Sequence, residues 1–329
     1  MVETLTKKDF KSDQEVRWCP GCGDYAILNS VQGVMAKLDV PKQDIVFVSG
    51  IGCSSRFPYY MNTYGMHSIH GRAPAFATGI KTANPELSVW MVTGDGDALS
   101  IGGNHLAHIL RRNVDVKIML FNNEIYGLTK GQYSPTSPAG LRTKTSPMGS
   151  VDRPFEALSF ALGSGATFVA RTVDTHVKHM ERVLLAAAKH KGSAFIEIYQ
   201  NCVIFNDGCF DDVAAKSVRD DRMIDLEHDK PMVFGKDHDK GLRIEGFDVK
   251  VVPADEADVW KTDVASPGPA FVMAQASMHN ENPRPMGVIR NVDAPVFDTD
   301  VNAQITEAIK GKGKGNLQDL IYSGDTWTV

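Results

Sequence analysis

Leu87-Ser-Val-Trp-Met-Val-Thr93, Gly94-Asp-Gly-Asp97, Val116-Lys-Ile-Met-Leu-Phe121 and Asn122-Asn-Glu-Ile-Tyr-Gly127 succeed one another in this chain. Two apolar, β-branched runs each end in a polar turn. Between Gly96 and Asn122 lie 25 residues, 97 to 121, enough for one helix and a return strand. That is one βαβ crossover, which brings both turns to the same sheet edge.

The neighbouring segments repeat the pattern. Ile45-Val-Phe-Val-Ser49 reads as a strand ending at Gly50, and Ala166-Thr-Phe-Val-Ala170 and Ala194-Phe-Ile-Glu-Ile-Tyr199 read as two more. Helical stretches fall over 25–38, 72–83, 99–112, 153–162 and 177–191. Near-continuous apolar strands alternating with helices predict an α/β fold with a doubly wound, mostly parallel sheet covered on both faces. Ligands of such sheets sit at the carboxyl ends of the strands. The ends marked by Gly50, Gly94 and Asn122 are therefore where a site is expected. Ser134-Pro-Thr-Ser-Pro138 and Ser146-Pro-Met-Gly149 place a loop over that edge, across 131–150.

After residue 207 the character changes. Residues 207–229 are rich in acidic groups, 232–235 and 242–244 read as a hairpin, and 296–310 as a last helix. Lys310-Gly-Lys-Gly-Lys-Gly315 reads as a flexible tether. The expected organisation is a cofactor-binding domain over 1–210. An irregular C-terminal extension over 211–329 packs on it or on a partner subunit.

The chain has 329 residues, 43% of them hydrophobic, enough for a large core. Its net charge of −5, from 35 basic and 40 acidic residues, implies no strongly basic face, so nucleic acid is not an expected partner. The apolar runs are too short to cross a membrane. The N-terminal stretch Met1-Val-Glu-Thr-Leu-Thr-Lys-Lys-Asp9 has no apolar signal core, and a cytoplasmic location is expected.

Asp95 offers a hard anionic oxygen and Asn123 a neutral amide oxygen. Mg²⁺ takes a few protein oxygens and completes its shell with phosphate and water. Glycines let the backbone approach phosphates, and a helix starting near Leu99 points its positive end at them. Taken singly, Gly-Asp-Gly is a tight turn and Asn-Asn a strand end. Together, at this spacing, they resemble the thiamine diphosphate motif. That likeness implies Asp95, the Asn123 side chain and the Ile125 carbonyl as magnesium ligands. His70, in His70-Gly-Arg-Ala73 just before a helix, is either structural or a contact on the diphosphate or thiazolium side.

The five cysteines are Cys19, Cys22, Cys53, Cys202 and Cys209. An odd count in a cytoplasmic chain disfavours disulfides. Trp18-Cys-Pro-Gly-Cys-Gly23 puts two thiols on a tight turn, and Cys53 and Cys202 each lie near a strand end. These four can converge at one edge, where they suit Zn²⁺ or a [4Fe–4S] cluster. Either late cysteine could instead be a small buried apolar residue. Cys209, in an acidic loop, competes with Cys202 for the fourth position, and Cys202 is preferred. A thiamine site next door favours the cluster, because electrons released there can be taken up singly by iron–sulfur but not by zinc.

With both motifs in hand, the chain resembles the β subunits of 2-oxoacid:ferredoxin oxidoreductases. The likeness rests on Trp18 to Gly23, Gly50-Ile-Gly-Cys53, His70 to Ala73, Gly94 to Asp97, Asn122 to Gln132 and Asn201-Cys202. It implies CoA-dependent oxidative decarboxylation of a 2-oxoacid, with electrons passing to ferredoxin. It implies cluster ligands at Cys19, Cys22, Cys53 and Cys202, and cofactor contacts at Gly52, His70, Gly94, Asp95, Gly96, Asp97, Asn123, Ile125, Gly127 and Leu128. Basic residues at Arg56 and Lys130 resemble those of members that accept the distal carboxylate of 2-oxoglutarate, which makes that acid the expected substrate. Pyruvate and branched-chain 2-oxoacids are the alternatives. Only the diphosphate half of a thiamine site is present, so an α subunit is expected to bring the pyrimidine half in an α₂β₂ assembly. A thiamine enzyme half with structural zinc, or a zinc-stabilised scaffold, are the competing readings.

Overall fold

The computed structural model describes residues 5–276 and 282–328. The first four residues of the N-terminal stretch discussed above lie outside them. In chain order the strands are β1 (Ile45–Ser49), β2 (Tyr64–His67), β3 (Ser88–Gly94), β4 (Val116–Asn122), β5 (Ile125–Tyr126), β6 (Gln132–Tyr133), β7 (Phe168–Val173), β8 (Ala194–Tyr199), β9 (Met223–Leu226), β10 (Val233–Phe234), β11 (Lys240–Glu245), β12 (Asp248–Pro253) and β13 (Arg284–Asn291). The helices that pack on the sheet are α1 (Asp24–Met35), α2 (Phe57–Tyr60), α3 (Ala73–Ala83), α4 (Gly103–Arg112), α5 (Ala157–Gly163) and α6 (Val177–Lys189).

Among the described residues the central sheet has eight strands in the order β2-β1-β3-β4-β8-β7-β13-β9. The pairs from β2 to β7 are parallel, whereas β13 runs antiparallel to β7 and parallel to β9. Side chains alternate faces with period two. Val46, Val48, Val89, Met91, Ile118 and Leu120 pack with α3, α4 and α5, whereas Ile45, Phe47, Trp90, Val92, Met119 and Phe121 pack with α1 and α6. Two apolar layers explain why the strand sequences are apolar without a break. Each such side chain contributes roughly 1.5–3 kcal/mol on burial.

Several elements depart from expectation for local reasons. The helix expected over 99–112 is a π-helical turn, Asp97–Ile101, followed by α4. Gly71, at φ 67°, presses on Gly102 so closely that a Cβ would stand 2.6 Å from the Gly102 Cα. Such π turns are frequent at functional sites. The helix expected over 153–162 starts only at Ala157, where the Glu156 side chain accepts from Ser159 N. The first three residues of the expected tether belong to helix Phe297–Lys312. The expected hairpin forms as β10–β11, with β12 added as a third strand. Three strands of the central sheet escape the sequence reading. β2 is an exposed edge strand with no apolar pattern. β9 lies in an acidic run, and β13 carries Pro285 and Gly287. Residues beyond 210 thus extend the main sheet itself.

A buried ion triad crosses the middle of the sheet. Arg171 Nε donates to Glu197 Oε2 at 2.6 Å, and Nη2 donates to Glu156 Oε1 at 2.5 Å. Arg171→Ala would strand two buried carboxylates. A loss of about 3–5 kcal/mol in equilibrium urea unfolding is expected.

Candidate active site

Because β1, β3, β4, β7 and β8 run parallel, their carboxyl ends share one edge. Two adjoining cavities open there. The first, of about 200 Å³, is lined by Gly52, Cys53, His70, Gly94, Asp95, Gly96, Asp97, Asn123, Ile125, Gly127 and Leu128, among others. The second, of about 250 Å³, is lined by Cys19, Cys22, Cys53 and Cys202 together with Arg17, Arg56, Lys130, Gln200 and Phe205. Cys53, Asn123, Gly127 and Leu128 line both, so the turn after β4 is the wall between them. At Gly127 that wall is thin: a Cβ there would stand 3.5 Å from Cys202 Sγ and 3.8 Å from Cys53 Sγ, in van der Waals contact with both thiols.

In the first cavity Asp95 is 3% exposed and forms no salt bridge among the described residues. Burial pushes its carboxyl up to about 6, against hydrogen bonds from Ser134, Thr136 and the Gly96 amide. An isolated buried carboxylate of this kind suits a cation. Asn123 Oδ1 accepts from Ile125 N at 3.2 Å, which turns the amide oxygen into the same turn. A carboxylate and an amide oxygen at one turn are hard donors of the kind that Mg²⁺ takes beside phosphate.

Loop 134–137 grips this turn from outside. The Thr136 hydroxyl lies 2.7 Å from Asp95 Oδ2 and 2.8 Å from Asn122 Oδ1, and Ser137 Oγ donates to the Glu124 carbonyl at 2.5 Å. Thr136 has one proton to give, and the charged acceptor Asp95 has the stronger claim on it. Asp97 lines the cleft but directs its carboxylate inward, accepting from Gly71 N at 2.8 Å and from Thr93 Oγ1 at 2.9 Å. It fixes the His70–Gly71 turn. His70 reaches the cleft with a largely exposed ring, its Nδ1 3.8 Å from Asp97 Oδ1.

In the second cavity, Cys19 and Cys22 enter from the turn before α1, Cys53 from the end of β1 and Cys202 from beyond β8. Gly23 N donates to the Asn201 carbonyl at 3.1 Å, and Asn201 N donates to Asp174 Oδ2 at 2.8 Å, which ties the first and last of these segments. Trp18 Nε1 donates to the Cys53 carbonyl at 2.7 Å and ties the third. Burial, then the nearby Asp24, pushes the Cys53 thiol up to about 11, and Cys22 is raised further by the same two causes. Among the described residues no three His, Cys, Asp or Glu side chains are close enough to share a single metal ion. Four thiols spread around a cavity fit a polynuclear iron–sulfur group better than one tetrahedral zinc.

Cys209 does not line this cavity; its Sγ donates to the Asn123 carbonyl at 3.8 Å. Arg56 and Lys130 line the thiol cavity and not the cleft beside it. Arg56 Nε donates to Tyr60 Oη at 2.8 Å. Thr136, Ser137 and Gln200 are site residues that the motifs do not mark.

A family model for the C-terminal TPP-binding domain of thiamine pyrophosphate enzymes matches residues 50–198. The chain is 52% identical to 2-oxoglutarate oxidoreductase subunit KorB of Mycobacterium tuberculosis, across 98% of this chain and 88% of that protein. It is 46% identical to the β subunit of 2-oxoacid:ferredoxin oxidoreductase 1 of Aeropyrum pernix, across 64% of this chain and 65% of that one. Among solved structures, 2-oxoglutarate:ferredoxin oxidoreductase from Magnetococcus marinus, with 2-oxoglutarate, coenzyme A and succinyl-CoA bound, superposes with a TM-score of 0.79. Identity is 33%, covering 98% of this chain and 97% of that one.

Proposed function

The chain belongs to the 2-oxoacid:ferredoxin oxidoreductase β subunits, and from that premise we propose that it is the β subunit of an enzyme converting 2-oxoglutarate and coenzyme A to succinyl-CoA and CO₂, with two electrons passed to ferredoxin. The observation that carries the reading is the pair of cavities sharing the wall from Asn123 to Leu128. One is built for a diphosphate and its magnesium, the other for a thiol-bound redox group. When bound, thiamine diphosphate supplies the carbanion chemistry of decarboxylation, and a [4Fe–4S] cluster supplies one-electron steps.

The chain's own residues hold these groups and set their spacing. Asp95, Asn123 and the Ile125 carbonyl hold magnesium. Gly94 and Gly96 line the cleft where the diphosphate is taken, and the space that a Cβ at Gly96 would need is filled by the Tyr126 ring. Cys19, Cys22, Cys53 and Cys202 hold the cluster. The chain has no Cys-x₂-Cys-x₂-Cys-x₃-Cys run for a second one, so electrons leave to a separate ferredoxin.

The cleft is one side of a site. Ile101 and Leu128, which line it, are 63% and 57% exposed, an apolar rim suited to a covering chain. The α subunit fills that role and brings the pyrimidine half, in an α₂β₂ assembly. The C-terminal helices leave Ile305, Ile309, Leu317, Leu320 and Ile321 exposed, a second strip suited to the same partner. No helix among the described residues is long and apolar enough to cross a membrane. A cytoplasmic location belongs to the same reading.

Arg56 and Lys130 line the thiol cavity beyond the Gly127–Leu128 wall and not the cleft itself, and in this reading their cationic ends take the distal carboxylate of a five-carbon acid. A charge-assisted hydrogen bond contributes roughly 1.5–3 kcal/mol. In the assembled complex, Arg56→Ala and Lys130→Ala are each expected to lower kcat/KM for 2-oxoglutarate by about 10- to 100-fold. Turnover of pyruvate should stay within a few-fold. Equal losses on both acids refute the distal-carboxylate role. Wild-type preference for pyruvate refutes the substrate.

A further inference from the structure

Gln200 lines the thiol cavity and is bonded to Asn123, which lines both cavities. It follows the last residue of β8, is 2% exposed, and its amide N donates to the Asn122 carbonyl at 2.8 Å. Its side-chain Oε1 accepts from Asn123 Nδ2 at 2.8 Å. Its Nε2 donates to the Asn201 carbonyl at 2.5 Å and to Cys22 Sγ at 3.3 Å.

The orientation of this amide is fixed by its neighbours. A backbone carbonyl can only accept, so the Asn201 oxygen requires Nε2 on that side. Asn123 is fixed in the same way. Its Oδ1 accepts from Ile125 N at 3.2 Å, which leaves Nδ2 to face Gln200. A flip of Gln200 would set oxygen against the Asn201 oxygen and nitrogen against the Asn123 nitrogen.

We propose that Gln200 is a positioning residue for both centres: it aims the Asn123 oxygen at magnesium, and by donating to Cys22 Sγ it raises the reduction potential of the iron–sulfur group. The inference rests on the function proposed above. Its physical basis has two parts. Groups that orient a metal ligand from behind set affinity, and their loss typically weakens binding 10- to 100-fold. Donation to a cluster sulfur stabilises the more negative, reduced state and so moves the potential upward. One rigid amide performing both tasks also locks the distance between the electron source and the acceptor.

Two variants separate the halves. Gln200→Glu keeps an acceptor for Asn123 Nδ2 and removes the Nε2 donor to Cys22 and to the Asn201 carbonyl. Gln200→Leu removes both. The α–β complexes are compared with wild type for iron content, cluster midpoint potential by EPR-monitored redox titration, and thiamine diphosphate affinity in magnesium.

Gln200→Glu should lower the potential by at least the equivalent of tenfold in the one-electron equilibrium, about 59 mV. Its thiamine diphosphate affinity should change less than about threefold. Gln200→Leu should lower the potential and also weaken thiamine diphosphate binding by about tenfold or more. If either variant assembles no cluster, the thiamine diphosphate affinities still decide the first half. An unchanged potential and affinity in iron-replete variants would overturn the proposal and leave the parent reading standing. A wild-type complex without iron overturns the parent reading and the potential half together.

Discussion

Asp95→Ala is expected to weaken thiamine diphosphate binding by more than about 100-fold in the presence of magnesium, and to leave the assembled complex without measurable turnover. Loss of an outer-shell partner alone typically weakens metal binding 10- to 100-fold, and Asp95 is the only anionic ligand in the proposed set. Asn123 and the Ile125 carbonyl are neutral and cannot replace its charge against a dication. The fold should survive the change. Burial already disfavours this carboxylate, raising it to about 6, so its removal relieves a desolvation penalty while losing the hydrogen bonds from Ser134, Thr136 and the Gly96 amide. Far-UV circular dichroism and subunit assembly should therefore match wild type, and isothermal titration with thiamine diphosphate and magnesium reads the loss. Binding within threefold of wild type would mean that the diphosphate is held elsewhere.

The fold and the ligand turns were legible for the same reason. Asp95 and Asn123 sit immediately after apolar strands, one crossover apart, and parallel topology then leaves them no choice but to meet. Cys53 and Cys202 are placed by the same rule at the ends of β1 and β8. Contacts that cross long stretches of chain are a different matter. Thr136 reaches Asp95 over 41 residues and Gln200 reaches Cys22 over 178. A threonine in a Ser-Pro-Thr-Ser loop and a glutamine after a strand carry no periodic or spacing signal. Their roles come from the loop's path and from how β8 is threaded between β4 and β7.

The strands beyond residue 210 were hidden for a compositional reason. β13 contains Pro285 and Gly287, residues that normally argue against a central strand. Pro285 is the second residue of the strand and precedes the stretch paired with β7, which starts at Gly287 and shifts register between Val288 and Arg290, a local bulge. Arg56 and Lys130 mark the opposite limit. Their residue type is informative, but the fold sets them on the border of the thiol cavity and not of the cleft.

Cys202→Ala and Cys209→Ala should separate completely. The first is expected to lose the intact four-iron cluster, with iron per chain falling well below four and ferredoxin reduction abolished. The second should keep both. Cys202 lines the cavity with the other three thiols, and its Sγ stands on the far side of the Gly127 wall. Cys209 lies outside that cavity, packs beside Val173, Tyr199 and Phe210, and already spends its S–H on the Asn123 carbonyl. Replacing it removes one weak hydrogen bond, and thiamine diphosphate affinity should move only slightly. Iron analysis, visible absorbance and EPR after reduction report the outcome. A three-iron signal in Cys202→Ala would agree with the loss of one ligand from a four-thiolate site. Full cluster content in Cys202→Ala, with loss in Cys209→Ala, would exchange the two roles and require the loop from Asn206 to Phe210 to turn toward the cavity.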